Sequence, residues 1–127
     1  MDPDSPVPDK NLILVLQTIP QPRSIGPDGL LPVGWTLAML DRAGAVLPRG
    51  HFGLPVQLVH MASVRVHARP QVGELVTFRA RMLDTSPHRV QVEVQAAKAS
   101  LGQVAYETVL HAILTYEPIH TTRLCGR

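Results

Sequence analysis

One segment of this 127-residue chain has the length and pattern of a helix, and it is apolar on almost every side. It reads Gly34-Trp35-Thr36-Leu37-Ala38-Met39-Leu40-Asp41-Arg42-Ala43-Gly44-Ala45-Val46-Leu47 and is closed by Pro48. A helix with no polar side has nothing to offer water, so it has to be buried. Whatever else the chain folds into must therefore wrap around it. Asp41 breaks the apolar pattern near the middle. Burying an unpaired carboxylate is costly, so the side chain must be paired, solvated or used. Arg42 is the next residue and points about 100° away around the helix axis, which makes it a poor local partner. Two readings follow: Asp41 faces water or a distant arginine, or it lines a cleft and does acid–base work.

The remaining elements are strands. Lys10 to Ile19 (KNLILVLQTI) is β-rich and ends at Pro20 and Pro22. Pro20 to Pro32 is a Pro- and Gly-rich loop, and Pro48 to Pro55, with His51 and Gly53, reads as a second loop. From Val56 the chain alternates, with Leu58, His60, Ala62, Val64 and Val66 on one face. A turn, Arg69-Pro70-Gln71-Val72-Gly73-Glu74, leads to a strand from Leu75 to about Leu83 whose apolar face is Val76, Phe78, Ala80 and Met82. Asp84 to His88 is the next turn. Arg89 to Lys98 follows, with Val90, Val92, Val94 and Ala96 inward and Gln91, Glu93 and Gln95 outward. After a turn at Ala99 to Gly102, the last strand runs from Gln103 to Tyr116, with Val104, Tyr106, Leu110, Ala112 and Leu114 on one face, and Pro118 ends it. The order is β-α-β-β-β-β, an α+β class, and its simplest packing is an antiparallel sheet wrapped around the helix with four strands in a meander. One sheet covers a helix on one side, so a second subunit is expected on the other.

Composition narrows the setting. The length suits one domain with one core, 45% of the residues are hydrophobic, and aromatics are so few that Val, Leu and Ala must fill the interior. No apolar run approaches the ~20 residues that span a membrane. Residues 1–9 are acidic and Pro-rich and read as a disordered lead-in; residues 120–127 read as a tail. Cys125 is the single cysteine, so no intrachain disulfide can form, and a reducing, cytoplasmic location is expected; Cys125 itself is assigned no role.

The net charge of +2 hides an asymmetry: residues 1–41 carry two bases against five acids, and residues 42–127 carry ten bases against five acids. Arg65, Arg69, Arg79, Arg81 and Arg89 crowd the second part. Guanidinium groups pair bidentately with phosphate, which fits an anionic ligand such as a nucleotide; the other reading is a solvated sheet face. Nucleic acid is not expected, because no long basic run and no aromatic cluster lies among the bases. The six histidines lack paired close spacing, so no metal site is expected. His60, on an apolar strand face, reads as a hydrogen-bonded core residue, and Trp35 reads as core. No Ser-His-Asp arrangement and no phosphate loop is recognisable.

From about Asn11 to Ile119 the chain resembles hot-dog-fold acyl-CoA thioesterases of the broad-specificity cytoplasmic type. The helix Gly34 to Gly44 with its Met39-Leu40-Asp41, the turn Arg69-Pro70-Gln71-Val72-Gly73-Glu74 and the strand segment Val92-Glu93-Val94 carry the resemblance in order and spacing. It implies a single hot-dog domain over residues 10–119, a homo-oligomer, an acyl-CoA substrate whose coenzyme A is part of that substrate, and no separate cofactor. By the same resemblance Asp41 takes the place of the catalytic carboxylate, deprotonating a water that attacks the thioester carbonyl or attacking it directly. The N–H groups of Val33, Gly34 and Trp35 at the positive end of the helix would stabilise the developing oxyanion. Arg69, Thr85, Ser86 and Arg89 would contact coenzyme A. The chain departs from the family where the loop asparagine falls on Gly26 or Asp28, the aromatic or histidine on Pro32, and the first glycine of a pair on Val33. These departures keep an alternative open: a non-catalytic hot-dog protein that binds acyl-CoA or serves as an assembly subunit. A hydratase or dehydratase usually needs a histidine beside the acid, and the helix offers Asp41 alone.

Overall fold

The structure is a computed structural model that describes residues 11–100, 102 and 105–120. The expected lead-in at residues 1–9, the start of the last strand at Gln103 and Val104, and Cys125 lie outside the described residues. The elements are β1 (Ile13–Thr18), a short 3-10 turn at Pro22–Ser24, α1 (Val33–Gly44), α2 (Val46–Phe52), β2 (Val56–Val66), β3 (Glu74–Thr85), β4 (Val90–Ser100) and β5 (Glu107–Pro118).

All strand pairs are antiparallel, in the order β1-β3-β4-β5-β2. The expected meander therefore holds for β3, β4 and β5 alone. The helix carries the chain across the sheet face, so β1 and β2, its neighbours in sequence, become the two edges. Residues 67–73 then return the chain past β5 and β4 to β3, a span of roughly 14 Å at the usual strand spacing.

The sheet face toward α1 is built as the alternation dictates. Val76, Phe78 and Ala80 of β3, Val90, Val92, Val94 and Ala96 of β4, and Leu110, Ala112, Leu114 and Tyr116 of β5 are buried and pack with Leu40 and Ala43 of α1. Burying each large apolar side chain contributes about 1.5–3 kcal/mol, so these three strands and one helix stripe hold the fold.

Edge strand β2 departs from its expected pattern. Its register against β5 shifts between Leu58 and His60 and again between Ala62 and Arg65. Ser63 takes the left-handed conformation, φ 53°, inside the second irregularity. Each bulge inserts a residue and changes which side the next one faces. Met61 thus lies opposite the inward Leu114, and His60 pairs with Thr115. His60 is exposed, on the outer face beside Arg89 and Gln91, and is not a core residue.

The helix also differs from its expected form. Pro48 does not end it: α1 stops at Gly44, Ala45 links the two helices, and the chain continues as α2, in which Pro48 is the third residue. N–H groups of a first helical turn have no intrahelical acceptor, so the proline nitrogen costs nothing there. The expected loop at Pro48 to Pro55 is thus helical as far as Phe52, and Gly53, at φ 65°, closes it by donating to the Arg49 carbonyl at 2.9 Å. Within one chain α1 is buried along one stripe, Thr36, Leu40, Ala43 and Gly44, while Val33, Ala38, Asp41 and Arg42 are exposed. β4 extends through Ala99 to Ser100, β3 extends to Thr85, and Tyr106 precedes β5. No helix among the described residues is long and apolar enough to cross a membrane.

Candidate functional site

Asp41 lies at the margin of the buried helix stripe, exposed to solvent. Its Oδ1 nevertheless accepts a hydrogen bond from the Tyr116 hydroxyl at 3.0 Å, and its backbone carbonyl lies at the same distance from that hydroxyl. Among the described residues no Lys, Arg or His forms an ion pair with Asp41. Among the described residues the partner of this carboxylate is a tyrosine and not a distant arginine.

Tyr116 stands on the inward face of β5, opposite Val90, and is fully buried. A buried phenol needs a hydrogen-bond acceptor, and the helix supplies one because Gly44 leaves room. A Cβ at Gly44 would lie 2.6 Å from Tyr116 Oη and 2.7 Å from Leu114 Cδ1. Burial first, then the Asp41 charge and the hydrogen bond to it, push the Tyr116 pKa upward, so the hydroxyl stays protonated and donates. The reading of the sequence missed Tyr116. The available signal was Gly44, three residues after Asp41 on a helix and so on nearly the same side, where a glycine marks a close approach.

The helix start is open. Pro32 occupies the capping position and provides no side-chain cap. The Trp35 N–H donates to the Pro32 carbonyl at 3.0 Å, which leaves the N–H groups of Val33 and Gly34 ahead of the first such bond. The Trp35 side chain packs against the core. In the preceding loop, Asp28 Oδ1 accepts the Leu30 N–H at 3.0 Å, so this carboxylate is engaged by its own turn. Gly34 and Asp41 are seven residues apart, about 10 Å along the helix axis. The amides at the start of one helix and the Asp41 of the same helix do not reach one carbonyl group.

The four residues assigned to coenzyme A are not brought together either. Arg69 precedes β3, and Thr85 ends it. Twelve residues of strand separate the two by roughly 35 Å. Arg69 lies at the helix-start end, on a cleft of about 300 Å³ lined also by Ile25, Leu30, Leu31 and Val72. At the far end the Ser86 hydroxyl accepts the Arg89 N–H at 3.1 Å and closes the β3–β4 turn. There Arg89 Nε and Nη2 both donate to Glu117 Oε2, at 3.1 and 2.7 Å, and Thr85 is exposed.

On the outer face of the sheet, Arg81 and His111 both donate to Glu93, the latter at 2.7 Å from Nε2 to Oε2. Burial acts to raise the Glu93 pKa, but the hydrogen bonds from His111 and Arg81 and their charges outweigh it and hold the carboxyl below 4.5. Arg81, part of the Arg-rich span, is thus tied to a carboxylate.

No protein-family model matches the chain. It is 30% identical over 115 residues to an uncharacterized acyl-CoA thioester hydrolase of Buchnera aphidicola, across 87% of this chain and 84% of that protein. It superposes on a hexameric hot-dog-fold thioesterase of Campylobacter jejuni with a TM-score of 0.79 and 22% identity, over 88% of this chain and 86% of the other. The hexameric thioesterase of Yersinia pestis gives a TM-score of 0.78 and 20% identity, over 84% and 87%. These two likenesses establish the fold as the hot-dog fold, in agreement with the expected sheet around a helix.

Proposed function

Because the chain belongs to the acyl-CoA thioester hydrolase family, we propose that it hydrolyses acyl-CoA thioesters, with Asp41 as the acting carboxylate. The observation that carries this reading is the Asp41 carboxylate itself: exposed on the helix, held at one oxygen by Tyr116, and without a cationic partner among the described residues. Its second oxygen is available to take a proton from water. The water oxygen bonds to the thioester carbon, the carbon–sulfur bond breaks, and the proton passes to the departing thiolate, giving a carboxylic acid and free coenzyme A. Direct attack by the carboxylate, with water resolving the anhydride, uses the same residue.

The oxyanion needs donors, and the free N–H groups of Val33 and Gly34 at the positive end of α1 suit it. The separation of about 10 Å within one helix supports pairing these amides with the Asp41 of a second subunit. Catalysis by a homo-oligomer follows, and hexameric thioesterases are among the structural relatives. Arg69, beside the cleft at the helix start, is placed in this reading to meet a phosphate of the coenzyme A; Thr85, Ser86 and Arg89 would do so from a neighbouring subunit. The reaction needs no cofactor beyond the coenzyme A of the substrate, and neither membrane nor nucleic acid takes part. With a single cysteine and no disulfide, a cytoplasmic location fits.

Non-catalytic binding of acyl-CoA is the second reading, and Pro32 favours it, since a proline immediately before the helix removes one donor from the oxyanion region. Initial rates over a series of acyl-CoA chain lengths, with Asp41→Asn as the control, decide between the two. Hydrolysis by the wild type and a rate at least about 10²-fold lower for Asp41→Asn are expected, with the thermal midpoint nearly unchanged. A wild type that binds acyl-CoA without turning it over would make the binding role the better account.

A further inference from the structure

We propose that Tyr116 is a positioning residue for Asp41: its hydroxyl fixes one carboxylate oxygen and so aims the other at the reacting water. The proposal rests on the reading of Asp41 as the acting carboxylate.

Asp41 is exposed at the margin of the buried stripe of α1, where a side chain with two rotatable bonds otherwise samples several rotamers. Tyr116 restricts that freedom from below. Its hydroxyl is within 3.0 Å of both Asp41 Oδ1 and the Asp41 carbonyl, yet it has one proton to donate. The carbonyl already accepts the Ala45 N–H at 3.1 Å, and the ionised carboxylate is the stronger acceptor of the two, so the proton goes to Oδ1. Tyr116 is itself immobile: fully buried on β5, with its strand paired on both sides, to Val90 of β4 and to Leu58 of β2. A carboxylate on one element is thus held by a rigid donor on another, as a preorganised site requires.

The helix is shaped to admit this contact. Glycine inside a helix is worse than alanine by about 1 kcal/mol, yet Gly44 stands where any Cβ would press on the Tyr116 hydroxyl and on Leu114. Phenylalanine at 116 would fill the same apolar space and leave Asp41 without its anchor. The hydroxyl, not the ring, is what the packing of β5 under α1 does not explain.

The test is a kinetic cycle on the full chain with wild type, Tyr116→Phe, Asp41→Asn and the double variant, using the acyl-CoA that the wild type turns over fastest. Tyr116→Phe is expected to lower kcat about 10-fold or more, the scale of a hydrogen bond to a charged group, with KM changed less than about twofold. In the Asp41→Asn background the same substitution is expected to change the residual rate less than about twofold, because the group it positions is gone. Gly44→Ala keeps the tyrosine but forces α1 away from its hydroxyl, so it should reproduce the kcat loss, with rates taken well below its lowered thermal midpoint, and it carries the test if Tyr116→Phe folds poorly. An unchanged kcat in Tyr116→Phe overturns the proposal and leaves the hydrolase reading intact. An equal loss with and without Asp41 also overturns it, since that marks a general structural effect. A wild type with no turnover of any acyl-CoA removes the hydrolase reading and this proposal together.

Discussion

At Gly44 the helix and the last strand approach more closely than a side chain would allow, because Tyr116 and Leu114 fill the space against it. On helix propensity alone, Gly44→Ala should stabilise the protein by about 1 kcal/mol. The packing argues for the opposite sign. The new methyl would lie 2.6 Å from the Tyr116 hydroxyl and 2.7 Å from Leu114 Cδ1, and both belong to a strand with no room to retreat. Gly44→Ala is therefore expected to destabilise by about 1–3 kcal/mol, measured by urea unfolding, the usual cost of overpacking a filled core. A stabilised variant would mean that β5 shifts freely and that the Tyr116–Asp41 contact is loosely held.

The three central strands carry different work on their two faces. Toward the helix, β3, β4 and β5 present valine, leucine and alanine; away from it, Arg81, Glu93 and His111 form one cross-strand ionic cluster. Glu93 is ionised more readily in the folded protein than in the unfolded chain. Its contribution to stability is present above its unfolded pKa, near 4.5, and is lost as pH falls through its lower folded value. Glu93→Gln should therefore lower stability at neutral pH by about 1 kcal/mol, the scale of a partly exposed ion pair. The gap to wild type should close as the pH falls from 4.5 through the lowered folded pKa of Glu93, below which both carry an uncharged group. Thermal midpoints of both proteins from pH 3 to 8 check this, and a gap that is the same at every pH would point to packing in place of charge.

Considered as a whole molecule, the single chain has an unfinished surface. Val33 and Val46 on the helical side, and Met61, Val64 and Val66 on the edge strand β2, are more than a third exposed. An edge strand with free backbone groups and apolar side chains is a surface that folded proteins usually cover. Joined to the 10 Å gap between the helix-start amides and Asp41, this predicts a dimer or a higher assembly in which each site draws on two subunits. Sedimentation velocity at micromolar concentration is expected to show no folded monomer. Val66→Lys, which places a charge on that edge, should shift the protein toward smaller species and reduce turnover in parallel. A folded, fully active monomer would contradict the shared site.

The sequence by itself determined the class of fold, because side-chain alternation is a local property. Val76, Phe78 and Ala80, or Val90, Val92 and Val94, point one way for as long as the strand is regular, and the apolar segment with Asp41 could form nothing but the helix they surround. The position of Asp41 was legible for the same reason, as the one acid in that segment. Strand order was not legible, since hydrogen bonds between strands leave no mark on either sequence; nothing local says that β2 pairs with β5 and β1 with β3. His60 was misplaced because a bulge moves a whole strand's phase without changing its composition, and Pro48 was misread because its effect depends on which helical turn it occupies. The distance between Arg69 and Arg89, and the meeting of Tyr116 with Asp41 across 75 residues of chain, exist only once the elements are packed. Periodicity decides what each segment is, and contacts such as that of Tyr116 with Asp41 arise between segments.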